Sequence, residues 1–91
     1  DLLVGNGKRY LAIECKSLKT NAKYLEEAQI NDLLKFSKIF GAEPWIGLRF
    51  NNIGWYFIQP DRLKKTKNGT LIASLDVVKE KGFTFNDLIK S

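Results

Sequence analysis

The chain has no histidine and a single cysteine in 91 residues. With one thiol there is no disulfide framework. With no histidine there is no conventional zinc site and no Ser-His-Asp or Cys-His catalytic group. No run approaches the ~20 apolar residues of a membrane span, and no signal-peptide pattern is present. A reducing, intracellular setting is therefore expected. Methionine is absent even at the first position, so the chain reads as part of a longer protein. Acids are also scarce, 10 against 15 bases, leaving a net charge of +5. A basic surface favours nucleic acid, anionic membrane or acidic partners and says little about fold.

What is present fits one small domain spanning residues 1–91, with an ordinary 44% hydrophobic content. Asp1-Leu2-Leu3-Val4 reads as a strand, Gly5-Asn6-Gly7-Lys8-Arg9 as a turn, and Tyr10 to Lys16 as the returning strand. If Val4 pairs with Leu11, the antiparallel register places Asp1 opposite Glu14. Opposed side chains share a face about 5 Å apart. Two like charges there destabilise a hairpin unless something cationic lies between them. Lys16, two residues beyond Glu14, emerges on the same face. Two carboxylates and a lysine converging on one sheet edge suit a hard divalent cation beside a phosphate. The competing reading is a surface salt bridge contributing roughly 0–1 kcal/mol, which does not explain an acid facing an acid. Cys15, on the other parity, is expected to point into the core as a small hydrophobe.

The polar stretch Ser17 to Lys23 reads as an exposed loop or ribbon. A helix is expected from about Glu26 to Phe40, with Gly41 as its stop and no good N-cap side chain before it. On a helical wheel Ile30, Leu33, Leu34, Phe36 and Phe40 form one broad apolar arc. Gln29 falls inside that arc, and Ile39 outside. Trp45 to Phe50 and Trp55 to Ile58 read as strands joined by a turn over residues 51–54. That turn would pair Leu48 with Phe57 on one face and Arg49 with Tyr56 on the other. Both faces are then bulky, covered either within the monomer or by a partner. Trp45, Trp55 and Phe57 read as core, and no aromatic-with-basic ribbon of the single-strand-binding kind is evident. Asp61 to Lys67 is a basic turn or short helix, Asn68-Gly69 a hairpin signal before Thr70 to Ala73, and Thr84 the cap of a final helix, with Phe83 and Leu88 at staple spacing. The element order is β-β-α-β-β-(β)-α, an α/β fold with a mixed sheet.

An Asp, a hairpin, Glu-x-Lys, a helix and a further strand resemble the PD-(D/E)xK nucleases and their restriction-endonuclease-like mixed sheet flanked by helices. Within that superfamily the chain resembles the archaeal Holliday junction resolvases. The resemblance is carried by Asp1, Gly5-Asn6-Gly7, Ile13-Glu14-Cys15-Lys16, Gln29 before Phe36, Phe40-Gly41-Ala42-Glu43, Gly47-Leu48-Arg49 and Trp55-Tyr56-Phe57, and runs to about Lys67. It implies a Mg²⁺-dependent endonuclease, with Mn²⁺ as a substitute. Asp1, Glu14 and the Cys15 backbone carbonyl would hold the metal. Lys16 would orient the attacking water or stabilise phosphate charge, and Gln29 would face the site. Family members also carry an acidic residue and a serine upstream of the motif aspartate. The implied substrate is four-way junction DNA, cut by a homodimer acting in recombination and repair, cytoplasmic and nucleoid-associated. Lys8, Arg9, Lys19 and Lys23 flank the expected site, and Arg62, Lys64, Lys65 and Lys67 form a second cluster. These are candidate phosphate contacts, weighed against a solvated basic surface. The rival functions are a non-catalytic basic module on the same fold, or a related nuclease acting on another DNA structure.

Overall fold

Apolar and aromatic runs broken by glycine turns build the strands of this chain, and one long amphipathic stretch builds its main helix. The structure, a computed structural model, describes residues 2–5 and 7–90. Strands β1 (Leu2–Gly5) and β2 (Tyr10–Leu18) form the N-terminal hairpin, followed by β3 (Ala22–Leu25), helix α1 (Glu27–Phe40), β4 (Glu43–Phe50) and β5 (Gly54–Ile58). A 3-10 turn, Pro60–Arg62, leads to β6 (Lys64–Lys65), β7 (Leu71–Ser74), α2 (Leu75–Lys81) and α3 (Phe85–Lys90).

The first sheet has the order β1-β2-β4-β5. β2 and β4 are parallel and the other pairs antiparallel, giving a mixed sheet flanked by helices. The hairpin register places Val4 opposite Leu11, as the alternation of the sequence demands. Asp1, and with it the expected opposition to Glu14, lies outside the described residues. The parallel pairing of β2 with β4 needs a crossover, which α1 supplies.

The stretch after Lys16 departs from expectation. β2 continues to Leu18, and Ala22 already begins β3. β3, β7 and β6 form a second, antiparallel sheet in that order. Leu25 and Ala73 are its inward residues. They join Ala12, Leu18, Ile46, Leu48, Phe50 and Ile58 of the first sheet, and Ile30 and Leu33 of α1, in the main core. A polar-looking ribbon is thus ordered by one buried residue on each of two strands, Leu25 on β3 and Ala73 on β7.

The β4–β5 register is shifted by one residue from expectation. Leu48 opposes Tyr56, Arg49 opposes Trp55 and Phe50 opposes Gly54. Asn52 (φ 63°) and Gly54 (φ 120°) both take left-handed backbone, so the turn closes over residues 51–53. Leu48 and Phe57, whose cover could come from within the monomer or from a partner, are both buried within the chain. Leu48 lies in the main core. Phe57 packs with Leu11, Ile13, Trp45 and Leu88 on the other face of the sheet, beneath α3. Trp55, read as core, is stacked on Phe57 at a 6.0 Å ring separation but remains 41% exposed.

Helix α1 ends at Gly41 in the left-handed conformation (φ 63°), and Glu26 at its start provides no side-chain cap. Its buried stripe is narrower than the apolar arc. Ile30, Leu33 and Ser37 are buried, whereas Leu34 and Phe40 are exposed. Ser37 is accommodated because its Oγ donates to the Leu33 carbonyl at 2.8 Å. The unforeseen α2 is capped by Ser74, whose Oγ accepts from the Val77 N–H at 3.3 Å. Thr84 caps α3 as expected, accepting from Asp87 N–H at 3.2 Å. Between the two helices, Phe83 exchanges backbone hydrogen bonds with Phe57 of β5, each 2.7 Å.

Candidate functional site

Alternation along β2 sorts its residues into two faces. Ala12, Glu14, Lys16 and Leu18 face the side covered by α1 and the second sheet. The ends of that series are buried apolar residues, so the two charged ones are held half-buried between them. Lys16 Nζ lies 3.3 Å from Glu14 Oε1, with the two side chains 20% and 17% exposed. The contact uses one carboxylate oxygen. Glu14 thus retains acceptor capacity, and Lys16 two further N–H donors.

Among the described residues no group of three His, Cys, Asp or Glu side chains is placed to hold a metal. Glu14 is the described carboxylate at this point of the sheet, and Asp1 lies outside the description. The donors that this stretch offers are carboxylate and backbone oxygens with no imidazole, a set that fits a hard divalent cation rather than a soft one. Gln29 sits half-buried on the first turn of α1, just before the buried Ile30 that anchors this helix to the sheet.

Cys15 is exposed, contrary to the expectation of a buried thiol. The cover on its face ends too soon. α3 closes over Leu11 and Ile13, while the residue beside Cys15 is Gly47, which has no side chain to lean on it. A Cβ at Gly47 would be crowded, coming to 3.1 Å from both the Ile13 and Phe57 side chains.

Arg9, a candidate DNA contact, has its guanidinium engaged within the chain. Nε donates to Glu43 Oε2 and Nη2 to Glu43 Oε1, both at 2.8 Å, and Nη1 donates to the Leu88 carbonyl at 3.0 Å. Trp45 Nε1 adds a bond to Glu43 Oε1 at 3.3 Å. These hydrogen bonds, Arg9 first, hold the Glu43 carboxyl below the usual carboxylate range, with burial opposing them. The same pairing raises the Arg9 guanidinium. Sequence reading missed this clamp, because its partners come from the hairpin turn, the start of β4 and α3.

Of the remaining candidate cations, Lys8 is exposed on the β1–β2 turn and Lys67 on the β6–β7 turn, and the others fall in two regions. Lys19 lines a depression of about 300 Å³ with Ser17, Leu18, Arg49 and Asn51, at the end of β2 and β4. Arg62 and Lys64 line a larger one, about 650 Å³, which also contains Asp61, Glu80 and Lys81. Lys23, Lys64 and Lys65 are exposed on the second sheet. No helix among the described residues is long and apolar enough to cross a membrane.

The family model described as archaeal Holliday junction resolvase (Hjc) matches residues 1–91, further than the resemblance read from the motifs. The crossover junction endodeoxyribonuclease Hjc of Archaeoglobus fulgidus is 36% identical over 67 residues, covering 74% of this chain and 49% of that protein. Its namesake from Methanocaldococcus jannaschii is 35% identical over 60 residues, covering 66% and 44%. The solved structure of Archaeoglobus fulgidus Hjc, titled a Holliday junction resolvase from an archaeal hyperthermophile, matches with a TM-score of 0.89 at 28% identity. That match covers 98% of this chain and 71% of the other. The chain spans about half the length of the curated relatives it matches.

Proposed function

This chain belongs to the archaeal Holliday junction resolvase family, and on that premise we propose that it is the nuclease domain of a metal-dependent endonuclease resolving four-way DNA junctions by paired phosphodiester hydrolysis. The observation that carries the reading is the half-buried Glu14–Lys16 pair on β2, set beside a hairpin whose register runs toward position 1. In this reading Asp1, Glu14 and the Cys15 backbone carbonyl hold one Mg²⁺, or Mn²⁺ in its place. The bound ion supplies Lewis acidity toward the scissile phosphate and a water of lowered pKa.

The chain's own residues do the rest. Lys16, held beside Glu14, donates to a non-bridging phosphate oxygen where charge develops, at a position fixed by the strand rather than by a loop. Its remaining donors make that possible without giving up Glu14. Gln29 offers both an amide donor and an amide acceptor from α1 to orient water. Lys8, Lys19, Lys23, Arg62, Lys64 and Lys65 meet phosphates, which adds grip and salt dependence but no sequence reading. Arg9 serves instead to position the β1–β2 turn.

A homodimer completes the proposal, because a two-fold protein presents one surface twice to a two-fold junction. With Leu48 and Phe57 buried inside the chain, the apolar surface for it is on α1, where Ile39 is 78% exposed and Phe40 54%. Recombination and repair DNA in the cytoplasm, at the nucleoid, is the expected setting.

The test uses the full-length protein on a four-way junction, a linear duplex and a single strand, with Mg²⁺ or EDTA. Paired nicks in the junction only with Mg²⁺, from a species that light scattering reads as a dimer, are expected. Binding without cleavage in any metal would leave a non-catalytic module. Cleavage of duplex as readily as junction would leave a nuclease of another specificity.

A further inference from the structure

The second sheet carries an outward tyrosine that the proposed nuclease chemistry does not use. Its inner face is committed to the core through Leu25 and Ala73. Alternation turns the neighbouring positions outward. There, Tyr24 of β3 opposes Ile72 of β7, and Ile72 opposes Lys64 of β6. Tyr24 is 68% exposed, Ile72 partly covered and Lys64 exposed. The Tyr24 ring makes no ring contact among the described residues. Most of its surface is left to solvent.

The segments that build the sheet are rich in bases. Residues 15–25 include Lys16, Lys19 and Lys23 and no acid, and residues 62–75 include Arg62, Lys64, Lys65 and Lys67 and no acid. Glu27 reaches the β6–β7 turn at Gly69, so the feature is the Tyr24–Ile72–Lys64 row rather than the turn. Strands in a sheet lie about 5 Å apart, which puts the Tyr24 and Lys64 backbones about 10 Å apart. An aromatic face with a lysine across that span fits a base and a nearby phosphate. The sheet also lies on the side of β2 to which Glu14 and Lys16 project, since Leu18 and Ala12 share its core.

We propose that the outer face of the second sheet is a base-stacking platform, on which Tyr24 takes a DNA base left unstacked at a branch point while Lys64, across the same face, holds a neighbouring phosphate. The inference rests on the nuclease reading for the identity of the branched DNA, but not for the stacking itself. Base-on-ring stacking needs the π face and not the hydroxyl.

The experiment measures binding in EDTA by fluorescence anisotropy for the full-length protein and its Y24A and Y24F forms. The probes are a four-way junction, a short single strand and a linear duplex. Y24A should bind the junction and the single strand at least about fivefold more weakly and the duplex as before, while Y24F stays within about twofold throughout. Tyr24 is exposed, so equal melting temperatures should show both variants folded. Y24A binding every probe like the parent, losing duplex binding equally, or being matched by Y24F would overturn the platform. The single-strand arm decides this even where the junction is not a preferred ligand. Cleavage of the junction by the parent protein with Mg²⁺ judges the nuclease reading separately.

Discussion

Two carboxylate–cation pairs lie along β2 and its parallel neighbour, and they differ in how much of their bonding capacity is used. Arg9 and Glu43 meet through two 2.8 Å bonds, with a third from Arg9 to Leu88 and a fourth to Glu43 from Trp45. Glu14 and Lys16 meet once, at 3.3 Å. The first pair joins elements distant in the chain, a turn, a strand start and a helix end, so its geometry holds the fold. The second joins residues two apart on one strand, a contact that β geometry brings about by itself and that ties down nothing else. Saturated pairs hold structure, and unsaturated half-buried pairs remain open to a ligand.

The strongest way to break this contrast is K16A in the full-length protein. Junction cleavage should fall by ~10²–10³, because a donor aimed at developing charge is lost. Junction binding, measured alongside, should stay within a few-fold, since one charge among many contributes little to grip. Equal losses would make Lys16 a phosphate contact like any other.

Next in size is the response of each carboxylate to metal. E14Q should weaken Mn²⁺ binding, followed by electron paramagnetic resonance, by more than the ~10–100-fold typical of outer-shell changes. E43Q should leave that titration unchanged. If E43Q weakened Mn²⁺ binding as much, the division between a holding pair and a working pair would collapse.

The smallest effect is on stability. E43Q should cost no more than about 1 kcal/mol in urea unfolding, because Glu43 is 37% exposed and solvent screens the pair. Its pH dependence has a definite sign. The folded carboxyl is held below its ordinary value of 4.5, so its contribution is complete above that value and is lost as pH falls through the lower folded one. Parent protein should thus lose more stability than E43Q on acidification from roughly pH 7 to 3. Parallel curves would show the clamp contributing through shape alone.

The legible features were those set by neighbours in the chain. The Val4–Leu11 register, the stop at Gly41, the cap at Thr84 and the emergence of Lys16 beside Glu14 each follow from periodicities of two or 3.6 residues and from a glycine or hydroxyl in place. Where two local solutions were equally good, the sequence misled. Residues 51–54 can close by either of two loops, and the observed one moves every β5 side chain by one position. Cys15 looked like a core residue because alternation says which face it takes but not how far the cover on that face extends. Lys23 looked like loop or ribbon and Tyr24 was given no element, because β3 pairs with a strand almost fifty positions later.

From its order of residues alone, then, this chain specified a hairpin, a crossover helix, a basic charge and an acid–lysine pair on one strand face, all products of short-range geometry. Folding in three dimensions decided the rest. It separated the strands into two sheets, drew Arg9 away from solvent to Glu43, left Cys15 uncovered and turned Tyr24 outward. Those outcomes depend on which surfaces meet, and contacts between distant segments are set by the packing of whole faces rather than by any local pattern.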